Sequence, residues 1–464
     1  MGNFQKPNWV HNLLLELSPQ EQKALLSSVN RISEEEKVLY EKHDGGHKVI
    51  PLFIRPRLLY PFQLRYCRNI IAELQKAIQT LYLNYFYEPL FQEILPFKGV
   101  EKRHFIRFYQ AQGRIQTVMS RWDAVSDYSG ADWKKYLRFV EWNGVGIGGL
   151  YYAIATQTIM QRALLPLLKE LRPGFRLVKM ADSRELLYRQ ILRHAKKAGI
   201  RLKRVALVEE LRDLGGPLEF EEFRDYFRKR GLDAILSDPR DLKLHNGKLI
   251  VHGKVVEMIY RDTELEESLD MQKKGENIKA FLEAFRRNAA LSSLMGELDH
   301  KSALEVLTRP DLSRYFTPRQ RRIFRLHVVW TRLLRPTYTT DPHGKKIDLF
   351  PYAKRHREES VLKPNREFGG LGVAFGKNLS QKEWEASLEK AYRHPSEWVI
   401  QEEAEIRPKK FITSRRGKLQ EETLNVVDGH IVTPDGISII GRGSRHEVVN
   451  VARQGGLVAT LVYQ

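Results

Sequence analysis

The stretch LRFVEWNGVGIGG, Leu137 to Gly149, holds two competing signals, and the choice between them decides the fold. Its last six residues, GVGIGG, match the glycine spacing GxGxxG of a dinucleotide-binding turn. The residues just before them, EWN, place a carboxylate and an amide at alternate positions of an apolar run. A dinucleotide loop belongs to a strand, helix, strand unit whose second strand ends in an acidic residue about twenty positions on. Here that distance lands on Lys169 and Glu170, near the end of the helical run GGLYYAIATQTIMQRALLPLLKEL. The glycines therefore read as a turn. Glu141 and Asn143 become the informative residues, because two positions apart on a strand face the same side of a sheet.

Two segments downstream carry related chemistry. VLKPNREFGGLGVAFG, Val361 to Gly376, runs from a strand ending in Lys363 through a polar loop with Gly369, Gly370 and Gly372 into a second strand. A Walker loop runs the other way, from glycines into a lysine at a helix start. The order here predicts a β-hairpin whose backbone N–H groups can close over phosphate while Lys363 neutralises it. An ordinary glycine hairpin accounts for the same letters. WVIQEEAEI, Trp398 to Ile406, predicts a strand that carries Gln401, Glu402 and Glu405. It reads either as simple polar alternation or as a hinge that holds an adenine edge and accepts hydrogen bonds from ribose hydroxyls.

Lysine, glycine hairpin and acidic hinge in this order are the pattern of ATP-grasp enzymes. From roughly Arg121 to Gln464 the chain resembles the circularly permuted ATP-grasp family, which includes the synthetase domain of glutathionylspermidine synthase. RWDAVSDYSGADWKKYLRFVEWN resembles the family's R-x-D followed by E-x-N, and ELDHKSALEVL, opening at Glu297 and leading to VVWTRLL, resembles its segment in which a lysine opens a helix. The resemblance implies that Asp123, Glu141 and Asn143 hold Mg²⁺, a cation suited to hard oxygen ligands. It implies Lys301 and Lys363 on the phosphates of ATP, Gly369, Gly370 and Gly372 as the lid, and Gln401, Glu402 and Glu405 around adenine and ribose, with the hinge register open by a residue or two. Arg121 is implied at the acyl-phosphate. The tail GISIIGRGSRHEVVNVARQGGLVATLVYQ adds Arg442, Arg445 and Arg453 as candidates for phosphate or acyl-phosphate, since guanidinium matches phosphate oxygens bidentately; solvated loop arginines fit the same pattern.

Length and composition agree with a large folded protein. A chain of 464 residues exceeds what one core organises, so two or three units are expected. Residues 1–115 read as a helical N-terminal region, 116–300 as metal-site strands with a central α/β domain, and 301–464 as the nucleotide-binding part, giving an α/β (α+β) fold overall. Within the middle part RVALVEE, FEEFRDYFRKRG and AILSDP form a strand, helix, strand unit, and Asn246-Gly247 marks a hairpin turn. After Asp341 the chain reads as strand-rich. Cys67 is the only cysteine, which rules out an internal disulfide framework and suits a cytoplasmic protein, and no stretch reaches the ~18 apolar residues of a membrane span. The paired histidines His43 and His47 read as loop residues rather than as a metal site.

The 77 Lys and Arg against 57 Asp and Glu give a formal charge of +20, which favours anionic partners without choosing among them. The basic stretches PRQRRIFR and PKKFITSRRGK lack the interleaved aromatics of a single-strand stacking surface and read as solvated faces. The expectation is an ATP- and Mg²⁺-dependent ligase that joins a small-molecule or peptide carboxylate to an amine, with neither nucleic acid nor membrane as partner. The alternatives are an ATP-binding regulator that joins nothing and a basic nucleic-acid-binding protein.

Overall fold

The computed structural model describes residues 9–41, 46–213, 218–415, 417–447, 449 and 455–464. Among these, the largest sheet has eight strands. Its main path runs Leu52–Leu59, Gly456–Tyr463, Gly436–Ser444, Lys418–Thr433, Arg121–Val125 and Arg138–Asn143. Strand Lys409–Arg415 pairs with Lys418–Thr433, and the short Leu177–Val178 with Gly456–Tyr463. The path is antiparallel except where Leu52–Leu59 lies parallel to Gly456–Tyr463.

The central strands are apolar at successive positions because the sheet is covered on both faces. Val432, Ile437, Ile439 and Val462 share a core with Ile71, Leu74 and Ile78 of the helix Pro61–Asn84. Ile431, Ile440, Leu457, Ala459 and Leu461 pack instead with Ala155, Ile159 and Met160 of the helix Leu150–Ala163. Ile439 and Ile440 thus enter opposite cores, as the two-residue period of a strand requires.

Among the smaller sheets two have four strands. One is parallel, in the order Ala290–Leu291, Met258–Arg261, Arg204–Val208, Asp233–Ser237. Its crossover helix Phe220–Lys229 buries Phe220, Phe223 and Phe227, in line with the strand, helix, strand reading. The predicted hairpin is also there, with Asn246 at φ 47° and Gly247 at φ 73°. The other sheet is antiparallel, in the order Thr331–Leu333, Trp398–Glu402, Ser360–Pro364, Ala374–Phe375, and has its own core of Trp330, Leu349, Leu362, Trp384, Leu388 and Ile400.

Three expectations need correction. The first 115 residues are not all helical: Leu39–Glu41, His47–Val49 and Leu52–Leu59 are strands. The last of these takes its hydrogen-bond partner from Gly456–Tyr463, at the other end of the sequence, so no local period betrays it. The large sheet accordingly draws strands from all three expected units. The long helix after Gly149 stops at Ala163 and restarts at Leu165, where Pro166 removes a backbone donor. The region beyond Asp341 carries the helices Leu349–Arg355 and Gln381–Tyr392 between its strands.

Candidate active site

A cavity of about 430 Å³ opens between the edge of the large sheet and the antiparallel four-stranded sheet. The edge strands supply one wall. Arg121 pairs with Asn143 and Asp123 with Glu141 across the ladder, so all four lie on one face. The intervening Trp122 and Trp142, also cross-strand partners, point into the opposite core with 0% and 2% exposure. Alternation thus sets a polar face against the cavity and an aromatic face against the protein. Lys301, Lys363, Gly369, Gly370, Gln401, Glu402 and Arg442 line the remainder.

The charges interlock. Arg121 donates to both carboxylate oxygens of Asp123 at 2.7 and 3.0 Å, and Arg442 donates to Oδ2 of the same group at 2.7 Å. Burial pushes the Asp123 carboxyl up, but the two guanidinium groups outweigh it and hold the group well below the usual carboxylate range. Lys301 Nζ lies 3.0 Å from Glu141 Oε1 and donates to the Glu367 carbonyl at 2.6 Å. Lys363 donates to Gln401 Oε1 at 2.6 Å, while Gln401 Nε2 donates to Thr331 Oγ1 at 2.9 Å and to the Val140 carbonyl at 3.1 Å. Burial lowers Lys363 to about 8; Glu141 opposes that shift and Lys301 adds to it. Arg121, Arg442, Lys301 and Lys363 therefore stand around the two carboxylates Asp123 and Glu141, while Glu367, Glu402, Glu403 and Glu447 line other parts of the cavity. Glu402 is held apart from this group by an ion pair with Arg138.

The donor set at the sheet edge suits a hard divalent cation. Among the described residues no three His, Cys, Asp or Glu side chains converge as metal ligands, so the Asn143 amide oxygen is needed beside Asp123 and Glu141. Asn143 Nδ2 donates to the Arg121 carbonyl at 3.3 Å, which fixes the amide at the cavity wall. These oxygens would suit Mg²⁺, and Arg121, Arg442 and Lys301 pair with the two carboxylates among them.

The segment GVGIGG is a turn into the helix Leu150–Ala163, and its backbone groups are already engaged. Gly144 N donates to Asp299 Oδ2 at 2.6 Å, and the Gly148 carbonyl accepts from Arg121. Gly149, Tyr151 and Tyr152 donate their N–H groups to the buried Glu219 carboxylate at 2.8, 3.0 and 3.2 Å. A side chain thus occupies the helix N-terminus where a dinucleotide pyrophosphate would sit. The preceding strand is also antiparallel to its neighbour, unlike a dinucleotide unit. Neither Asp299 nor Glu219 announces itself in the sequence, since each acts through a backbone far along the chain.

Several expected residues lie elsewhere. Glu405 faces solvent and pairs with Arg407 at 3.2 Å; Glu403 and Ala404 line the cavity in its place. Gly372, at φ +70°, is not part of the lining, and a Cβ there would meet Pro364 Cγ at 2.8 Å, so its place is structural. Arg445 pairs with Glu422 at 3.0 Å, away from the phosphate-facing group. Arg453 and His43 lie outside the described residues, as does the His47 side chain. Sequence reasoning missed Lys377, which bridges Glu403 and Glu447 at 2.7 Å each and ties the hinge to the segment after Ser444. Cys67 is buried, and burial pushes its thiol up to about 12, which suits a packing role. Among the described residues no helix is long and apolar enough to cross a membrane.

No protein-family description matches the chain, and no curated protein does. Solved structures do. A glutathione synthetase-like effector from Globodera pallida, in its apo form, superposes over 99% of both chains with a TM-score of 0.61 at 12% identity. A structure named for gamma-glutamylcysteine synthetase, from Methylobacillus flagellatus, aligns over 87% of this chain and 89% of its own with a TM-score of 0.39 at 10% identity. D-alanyl-alanine synthetase from Vibrio cholerae covers 56% of this chain and 88% of its own, with a TM-score of 0.23 at 10% identity. Of these three, the first shares its fold with the present chain from end to end.

Proposed function

We propose that the chain is an ATP-dependent ligase that joins a carboxylate to an amine through an acyl-phosphate, on a circularly permuted ATP-grasp fold. The observation that carries this reading is convergence. Residues from segments as distant as 121–143, 301, 363–370, 401–404 and 442 meet around one cavity, with four cations gathered about Asp123 and Glu141. The order along the chain supports the permuted reading, since the strands with Asp123, Glu141 and Asn143 precede both lysines and the hinge.

In this reading the backbone at Gln401 to Ala404 receives the adenine edge, and the hairpin with Gly369 and Gly370 folds over the phosphates. Lys301 and Lys363 offset phosphate charge. Asp123, Glu141 and Asn143 hold Mg²⁺, which when bound supplies further positive charge to phosphate oxygens. A substrate carboxylate oxygen attacks the γ-phosphorus and ADP departs. The amine then attacks the acyl carbon and inorganic phosphate leaves. The chain's contribution is to align the groups and to stabilise charge that develops on oxygen, for which Arg121 and Arg442 are placed beside one another at Asp123.

The test is ADP and phosphate release from Mg-ATP against pools of amino acids, polyamines and short peptides. Release that requires both a carboxylate and an amine supports the ligase. No release with any pool, cell extract included, favours an ATP-binding regulator. That second reading has its own observation: Asp123 and Glu141 are already neutralised by the chain's own cations. For nucleic acid, the +20 charge leads us to expect weak binding that falls steeply with salt and shows no sequence preference.

A further inference from the structure

A second cavity, of about 400 Å³, adjoins the first. Ile50 lines both. Leu424, which lines the second cavity, stands three positions from Val427 at the first and so on the other face of their strand, which leaves Ile50 as the link between the two cavities.

The second cavity is half apolar, with Leu26 and Val29 of the helix Pro19–Glu35 facing Phe53. Its polar wall is specific. Arg445 Nε donates to Glu422 Oε2 at 3.0 Å, so a cation and an anion stand one hydrogen bond apart. Beside them Thr413, 6% exposed, has a buried hydroxyl oxygen with no hydrogen-bond partner among the described residues. An unpaired buried hydroxyl is costly and calls for a polar group from elsewhere. A guanidinium, a carboxylate and an unused hydroxyl in one cavity suit the ammonium and carboxylate carried on one carbon by an α-amino acid. Arg445 and Glu422 pair with each other across the cavity wall.

We propose that this cavity holds the head of the amine substrate, a diamino acid whose side chain runs past Ile50, which lines both cavities, and presents its terminal amine in the first. The ammonium lies on Glu422, and the carboxylate lies on Arg445 and Thr413. Its role as the acceptor site rests on the ligase reading, whereas binding of the amino acid head does not.

The experiment is calorimetric titration of L-lysine and L-ornithine into the nucleotide-free protein, with cadaverine, which lacks the head carboxylate, and Nα-acetyl-lysine, which lacks the head ammonium, as controls. It is repeated for Arg445→Ala, Glu422→Gln and Thr413→Val, each checked by thermal unfolding. We expect one of the diamino acids to bind, about tenfold or more weaker in each variant, and the controls not to bind. Under turnover the amine KM rises in the variants while the ATP KM stays. Failure of both diamino acids to bind, or binding indifferent to all three changes, overturns the proposal. ADP release with an amine whose KM the variants leave unmoved also overturns it and keeps the ligase. Binding with the expected sensitivity but no ADP release with any pool keeps the site and removes the ligase.

Discussion

Two glycine-rich segments of this molecule look alike in sequence and do opposite things in space. In GVGIGG the glycines are demanded by crowding. A Cβ on Gly144 would sit 2.7 Å from the Gly296 carbonyl, and the N–H groups that follow are spent on Glu219. In the loop from Arg366 to Val373, Gly369 and Gly370, at φ 67° and 71°, line the wall of the cavity. The difference teaches that glycine spacing alone does not identify a phosphate loop. What decides is whether another part of the chain already supplies the anion, and for the helix Leu150–Ala163 it does.

The comparison can be broken or sharpened by substitution. The largest effect is expected next to the first segment rather than in it. Glu141→Gln with Asn143→Ala should lower Mg²⁺-dependent ATP turnover by ~100-fold or more, while calorimetry still detects ATP. Retained turnover would remove the E-x-N pair from the site. Next in size, Lys363→Met should weaken ATP binding by roughly 10- to 100-fold. The wild type should carry a matching pH signature. A lysine lowered to about 8 is charged below that value and neutral above it, so affinity for ATP should fall as pH rises through about 8. The Lys363→Met variant should lack that step.

The glycines themselves give smaller and opposite effects. Gly369→Ala with Gly370→Ala should reduce ATP affinity about tenfold with little change in unfolding temperature. Gly144→Ala should instead cost ~1–3 kcal/mol of stability through overpacking, and Gly146→Ala, at φ +59°, about 1 kcal/mol through strain, both measurable by denaturant unfolding. Binding of NAD(P)H that disappears with Gly144 and Gly146 would reverse the assignment of the two segments.

Legibility in the sequence followed the range of the interactions. The hairpin around Gly369 and Gly370, the strand Trp398–Glu402, the turn at Asn246 and the strand with Glu141 and Asn143 are local patterns, and each lies where its period placed it. Arg445 was misplaced because it lies just past the end of the strand Gly436–Ser444 and takes Glu422 as its partner, which residue type does not encode. Leu52–Leu59 went unread because its partner is the strand Gly456–Tyr463. Glu405 fell on the solvent side for want of two residues of register, the shift that exchanges Glu403 for it at the wall.

The parallel pairing of Leu52–Leu59 with Gly456–Tyr463 also sets a schedule for the growing polypeptide on the ribosome. The later strand is an inner member of the large sheet, between Leu52–Leu59 and Gly436–Ser444. Until it emerges, the early strand has no neighbour in that sheet, and the helices Pro61–Asn84 and Leu150–Ala163 have only part of the surface they cover. At ~5–20 residues per second, the first strand waits roughly twenty seconds or more for its partner. During that time Leu52 to Leu59 offers unpaired backbone groups to any passing strand, and a cell making this protein has reason to keep a chaperone on the nascent chain.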